Sequence, residues 1–222
     1  MYMNFVDFLM TFSEVVGTIA FAISGATVAI RYRLDLFGVI MLGGFTALGG
    51  GTIRDLLMGN TPPRMFTSYT YLLLAVLTSF ITFTISYFMR GYEMKRPERL
   101  WNFINFVDAL GLGAFVVTGT RLPMLAGYGD NIFMCVFLGM TTGVGGGVLR
   151  DLMIHDIPAV LRKHIYAVAA IIGGVVYYGI VRLFRAEAVA TVACVAVTVI
   201  IRMLATKYRW NLPRIKFPQD MY

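Results

Sequence analysis

Charge is what this chain has least of: Asp, Glu, Lys and Arg make up 14% of its 222 residues, against 58% hydrophobic. A soluble domain carries about a quarter charged residues. So dilute a charge, with a mean hydropathy of +0.74, excludes an ordinary soluble fold and implies a membrane protein with several spans. Cysteine is nearly missing. Cys135 and Cys194 both fall inside apolar runs, where buried thiols act as small packing residues, so neither a disulfide nor a metal is assigned to them. The two histidines, His155 and His164, flank Asp156 and are too few for a metal centre. No Lys or Arg precedes Arg31, so the basic n-region of a secretory signal is lacking and the first apolar run is read as a retained span. Also missing are G-x-S-x-G, H-E-x-x-H and a cysteine placed for nucleophilic work, and the glycines at 143–147 lack the later glycine and preceding strand of a dinucleotide fingerprint. An enzyme and a bound cofactor are therefore not expected. The net charge of +7 is spread between apolar runs instead of forming one patch, which argues against nucleic acid.

What is present is a series of long apolar runs. The first covers residues 8–30, and the second runs from Leu36 through Ile53 to about Met58 before Asn60-Thr61-Pro62-Pro63 stops it, since proline donates no backbone hydrogen bond and restricts the residue before it. Residues 65–89 contain no charge and form the third. The segment Arg90-Gly-Tyr-Glu-Met-Lys-Arg-Pro-Glu-Arg99 then divides the chain, and further spans are expected at 102–122, 131–154, 164–184 and 186–206. The fold class is an all-α integral membrane protein of seven transmembrane helices.

The second half repeats the first. Glu14, Ala20-Phe21 and Ser24-Gly25 answer to Asp108, Ala114-Phe115 and Thr118-Gly119, and Gly49-Gly50-Gly51-Thr52-Ile53-Arg54-Asp55-Leu56 answers to Gly145-Gly146-Gly147-Val148-Leu149-Arg150-Asp151-Leu152. The organisation is residues 1–92 as one three-helix repeat, 93–184 as the other, and 185–222 as a seventh helix with a basic tail. Three spans per repeat force the second copy to enter the membrane from the opposite side, so the repeats are inverted. With the N-terminus outside, Arg31, Arg33, Arg90, Lys95, Arg96, Arg99, Arg162, Lys163, Lys207, Arg209, Arg214 and Lys216 lie inside, while Arg64, Arg121, Arg182 and Arg185 lie outside. Positive charge collects on the cytoplasmic side, which orients the chain N-terminus out and C-terminus in.

The doubled motif draws the functional reading. Three consecutive glycines each weaken a helix by about 1 kcal/mol relative to alanine, and on this ground helices two and five are expected to break at Gly49–Gly51 and Gly145–Gly147, their exposed carbonyls lining a watery path near the midplane. The charges that follow, Arg54-Asp55 and Arg150-Asp151, are costly in hydrocarbon unless paired or wetted. They serve either as ion pairs locking neighbouring helices or as charged rings on the path. Glu14 and Asp108, in matching positions of helices one and four, are candidate partners for Arg54 and Arg150, an arrangement that leaves Asp55 and Asp151 free for a cation. Ser24 and Thr118 offer polar lining, as do Thr46, Thr141 and Thr142, although such hydroxyls commonly bond back to their own helix. Gly43, Gly44, Gly139, Gly143, Gly173 and Gly174 are read as packing positions.

A doubled G-G-G-x-x-R-D-L, three spans apart in a seven-span inverted repeat, resembles the prokaryotic branch of the trimeric intracellular cation (TRIC) channel family over residues 5–206. The resemblance implies a homotrimer in the prokaryotic plasma membrane with one pore in each protomer, lined by helices two and five and passing K⁺ or Na⁺. Animal members hold a phosphoinositide through lysines near the breaks, and this chain has no lysine in either motif. Some bacterial relatives of the same repeat carry a glycine-transporter label. A secondary transporter of a small amino acid therefore stands as the second hypothesis, since broken helices at the midplane suit transporters as well. A non-conducting scaffold, the third, leaves the doubled charged motif unexplained.

Overall fold

The computed structural model describes residues 5–89, 97–162, 165–208 and 210, with side chains left out for 97–101 and 162. Arg90, Lys95, Arg96, Lys163, His164, Arg209, Arg214 and Lys216, all but His164 of them counted for orientation, lie outside the described residues, as does the expected boundary at 92/93. Within them the chain is helical, and seven helices are long and apolar enough to cross a membrane. We label them α1 (Phe5–Arg31), α2 (Leu36–Leu57), α3 (Thr70–Phe88), α4 (Pro97–Pro123), α5 (Ile132–Met153), α6 (Ile165–Phe184) and α7 (Glu187–Lys207). One-turn helices at Arg64–Thr67 and Ala159–Arg162 follow α2 and α5.

Local chemistry sets most of the ends. Asp35 caps α2 by accepting a hydrogen bond from Gly38 N–H at 2.8 Å, and Asn131 caps α5 through Met134 N–H at 2.9 Å, each satisfying an amide that the first turn leaves unpaired. The third span begins later than expected, at Thr70. Ser68 is extended (φ −135°, ψ 106°), so the Arg64–Thr67 turn is cut off from α3. At the far end of α4 the chain widens into a π-helical turn, Met124–Tyr128, in which Gly127 has a φ of 91°, a conformation that penalises any side chain with a Cβ.

The most buried span is α4, which touches α1, α5, α6 and α7, whereas α3 fully buries only Ala75 and Ser79. The two halves meet along α1 against α4 and α2 against α5. These contacts are reciprocal. A Cβ on Gly17 would press on Ala114 and Phe115 and one on Gly111 on Phe21, while the Phe21 and Phe115 rings pack 5.3 Å apart. Likewise Gly50 abuts the Thr142 carbonyl and Gly146 abuts the Thr46 carbonyl. Moving four residues up one helix moves the contact four residues down the other, so α2 and α5 run antiparallel. Such exchange of equivalent contacts is what a twofold relation between halves produces.

One expectation is corrected here: α2 and α5 do not break at the glycine triplets but run as unbroken helices through Gly49–Gly51 and Gly145–Gly147. Propensity is a weak term against packing, and each glycine has a packing reason. Successive helical residues point about 100° apart, so the three face different neighbours. A side chain on Gly49 would strike Leu149, and one on Gly145 would sit 3.1 Å from Ile53 Cδ1. The middle glycines, Gly50 and Gly146, lie against the carbonyls of the opposing helix, and a Cβ on Gly145 would be 3.2 Å from Gly50 Cα. Gly51 and Gly147 instead face their own arginines, with Arg54 Nη2 and Arg150 Nη2 at 3.7 and 3.8 Å from the Cβ position. The triplet permits a backbone-to-backbone crossing and leaves room beside it for a guanidinium.

Candidate functional site

Each Arg-Asp motif sits at the C-terminal end of its helix, so antiparallel α2 and α5 carry them to opposite ends of the crossing. Arg54, Asp55, Arg150 and Asp151 are all buried. The arginine folds back onto its neighbour: Arg54 Nε and Nη2 lie 2.9 and 2.7 Å from Asp55 Oδ1, and Arg150 Nε and Nη2 both 2.8 Å from Asp151 Oδ1. Both nitrogens share one carboxylate oxygen in a charge-assisted contact, stronger than a neutral hydrogen bond. The other oxygen of each carboxylate reaches forward. Asp55 Oδ2 accepts from Arg64 N–H at 3.0 Å and Asp151 Oδ2 from Ala159 N–H at 2.7 Å, tying down the one-turn helix after each prolyl loop. Asp55 and Asp151 are thus engaged on both oxygens, and the expectation that they stand free for a cation is corrected. The backbone carbonyls of both aspartates are also taken, by Asn60 N–H at 2.8 Å and Asp156 N–H at 2.9 Å, and the adjacent arginine offsets a carboxylate that would otherwise add to the negative end of the helix dipole.

The predicted partner of Arg150 is present. Arg150 Nη1 donates to Asp108 Oδ1 at 2.9 Å and to Ser24 Oγ at 2.7 Å, and Ser24 Oγ donates to the same Asp108 oxygen at 3.1 Å. A second arginine completes the cluster, with Arg202 Nη2 3.6 Å from Asp108 Oδ2 and its guanidinium 4.2 Å from the Tyr166 ring centre. In the first half the equivalent acid behaves differently. Glu14 is met by the Tyr71 hydroxyl and by Arg64 Nη1 at 3.6 Å, so its expected pairing with Arg54 is replaced. Arg54 already donates its hydrogen bonds to Asp55, and Tyr71 at the start of α3 supplies the donor that Glu14 lacks. Thr118, like Thr46, Thr141 and Thr142, donates to a carbonyl of its own helix.

Two cavities open on these clusters. The first, about 60 Å³, is lined by Glu14, Gly51, Arg54, Asp55, Arg64 and Tyr71, with Thr118 reaching in from the other half. The second, about 170 Å³, is lined by Asp108, Arg150, Asp151, Tyr166, Arg202 and Arg31 among others. They share no residue, and the contact of Gly50 and Gly146 on opposing carbonyls lies between the two motifs. The site is therefore two charged chambers separated by a closed helix crossing.

This arrangement has counterparts. A solved structure described as explaining conductance through TRIC cation channels is 38% identical, aligns over 93% of this chain and 97% of that one, and superposes with a TM-score of 0.79. This chain belongs to the prokaryotic TRIC family. The TRIC orthologue of Rhodobacter sphaeroides is 29% identical over 90% of this chain and 98% of that one, with a TM-score of 0.80. The UPF0126 inner membrane protein YadS of Escherichia coli strain K12 is 38% identical over 96% of this chain and 99% of its own length. The family model described as a glycine transporter matches residues 11–87 and 105–182, once in each half.

As a TRIC-family chain it holds four site residues that the sequence reading passed over: Arg64, Tyr71, Tyr166 and Arg202. Arg202 was legible, because an arginine within the apolar run 186–206 needs a partner. Tyr71 and Tyr166 occupy matching places in the repeat at the starts of α3 and α6, yet a tyrosine near a membrane interface is too common to single out.

Proposed function

We propose that the chain is a monovalent cation channel with its conduction path inside one protomer, running from one charged chamber to the other between α2 and α5. The observation that carries this is the pair of chambers, each built on an Arg-Asp motif, facing each other across a crossing that glycines keep close. The likeness to structures of TRIC cation channels supports the ionic cargo. Side-chain-free glycines let the two helices slide or tilt without rotamer clashes, and the arginines keep the acids from holding a cation too firmly for it to leave. The crossing as it stands is closed, so conduction requires α2 and α5 to separate. K⁺ and Na⁺ are both admitted on this reading, since the charged and polar groups of the chamber walls are side chains, carboxylates and hydroxyls set among arginines and apolar residues. The protein assembles as a homotrimer in the plasma membrane of a prokaryote, with its N-terminus outside.

A small-amino-acid transporter remains a second reading, favoured by the family model's description and by the two chambers being separate. The deciding experiment is planar-bilayer recording under a KCl gradient, using Thr52→Cys (first chamber) and Ile154→Cys (second chamber) in a background with Cys135 and Cys194 replaced by alanine. Cation-selective current steps reduced by a cationic thiol reagent at both positions are expected. Current indifferent to both modifications would move the path elsewhere, and silence with saturable glycine uptake would establish transport.

A further inference from the structure

Away from both chambers, a third cavity of about 470 Å³ lies where α4 and α6 end and α7 begins, on the side of the α1 N-terminus. Three arginines, Arg121, Arg182 and Arg185, line it beside Met124, Leu125 and Val181, with Glu187 as the only acid among its lining residues. Glu187 is already committed, its Oε2 taking a hydrogen bond from Arg121 Nε at 2.9 Å, and Asp7 lies 3.8 Å from Arg121 Nη2. Arg182 meets Asp130 at 2.6 Å, but that aspartate side chain is 92% exposed, so the pair is weak and easily exchanged. Arg185, at the turn into α7 with a φ of 53°, makes no ion pair with the described residues.

The floor supplies an independent sign of a missing ligand. Tyr177 is fully buried and lines the cavity, yet its hydroxyl makes no hydrogen bond of good geometry with the described residues, only a loose approach to the Arg121 guanidinium. A buried hydroxyl left unbonded is costly. An oxyanion in the cavity would accept from Tyr177 and from the arginines together. Leu125 of the lining, and Leu183 and Phe184 between Arg182 and Arg185 in the chain, are exposed at 62%, 77% and 73%. A guanidinium-lined cavity at the level where helices leave the hydrocarbon, edged by outward apolar side chains, matches a phosphate joined to acyl chains.

We propose that this cavity binds the phosphate headgroup of an anionic phospholipid, with Tyr177, Arg182 and Arg185 as ligands and the acyl chains lying against Leu183 and Phe184. The inference needs only that the chain spans a bilayer, and it stands or falls separately from the conduction path.

The test uses the full-length protein, stripped of lipid in detergent and titrated with phosphatidylglycerol or phosphatidylcholine, with bound lipid counted by native mass spectrometry and melting temperature followed in parallel. One tightly held phosphatidylglycerol per chain is expected, with affinity falling about tenfold in Arg185→Gln and again in Arg182→Gln, the scale of losing one charge-assisted hydrogen bond. Tyr177→Phe, which keeps the ring and its packing, is expected to weaken binding too. Phosphatidylcholine bound as tightly, or phosphatidylglycerol bound equally by wild type and all three variants, would overturn the proposal. A melting shift reproduced by inorganic phosphate alone would also overturn it, since the ligand would then be the free anion.

Discussion

At the scale of single residues, the glycines show how one residue type answers several demands. Gly50 and Gly146 have an opposing carbonyl where a Cβ would go, whereas Gly44 has open space. Gly50→Ala and Gly146→Ala should each destabilise the protein by about 1–3 kcal/mol, the usual cost of overpacking, and Gly44→Ala should leave stability unchanged or raise it slightly through helix propensity. Thermal unfolding in detergent checks this, and equal effects at all three positions would show that helix flexibility, not the crossing, is what the triplets serve. The charged residues carry a second lesson. Asp55 and Asp151 look like cation ligands in a sequence, but each is consumed by its neighbouring arginine and by a loop amide.

Between elements, the repeat is close at its core and diverges where α7 enters. The helix pairs α1/α2 and α4/α5 copy each other down to Gly25 against Thr46 and Gly119 against Thr142, each Cβ position 2.5 Å from the threonine hydroxyl. The acids differ. Asp108 is held by buried Arg150 and Arg202, whereas Glu14 is met by Arg64, whose side chain is 55% exposed. Removing one partner from a buried charge cluster costs about 3–5 kcal/mol, so Arg202→Met should lower the melting temperature substantially, although Arg150 still partly compensates Asp108. Arg64→Met should cost under about 1 kcal/mol, because its pair is solvent-screened. Comparable losses in the two variants would mean that α7 does not pin the second chamber.

For the molecule as a whole, the orientation proposed from the arginine and lysine distribution predicts a cytoplasmic C-terminus and places the arginine-lined third cavity on the outer side. A reporter that is active only in the cytoplasm should work when fused after Tyr222 and fail when inserted into the loop at Gly129. The reverse pattern would invert the whole assignment, including the leaflet from which the third cavity draws lipid. It would leave the chambers' geometry unaltered, since a twofold relation exchanges the two ends.

Span number, the internal repeat and the charge pairing of Asp108 with Arg150 were legible in the sequence because each is a strong local or compositional constraint: about 20 apolar residues to cross hydrocarbon, a motif written twice, and charges that cannot stay alone in lipid. The state of the glycine triplets was not legible. Three glycines are compatible with a break and with a close crossing, and only the facing carbonyls of Thr46 and Thr142, about a hundred residues away in the chain, select the crossing. Nor does the sequence of one motif show that its aspartate ties down the loop eight or nine residues on, or that α7 lends Arg202 to the second half and not the first. Those outcomes depend on which surfaces meet, and the free energy of meeting is a property of the packed bundle.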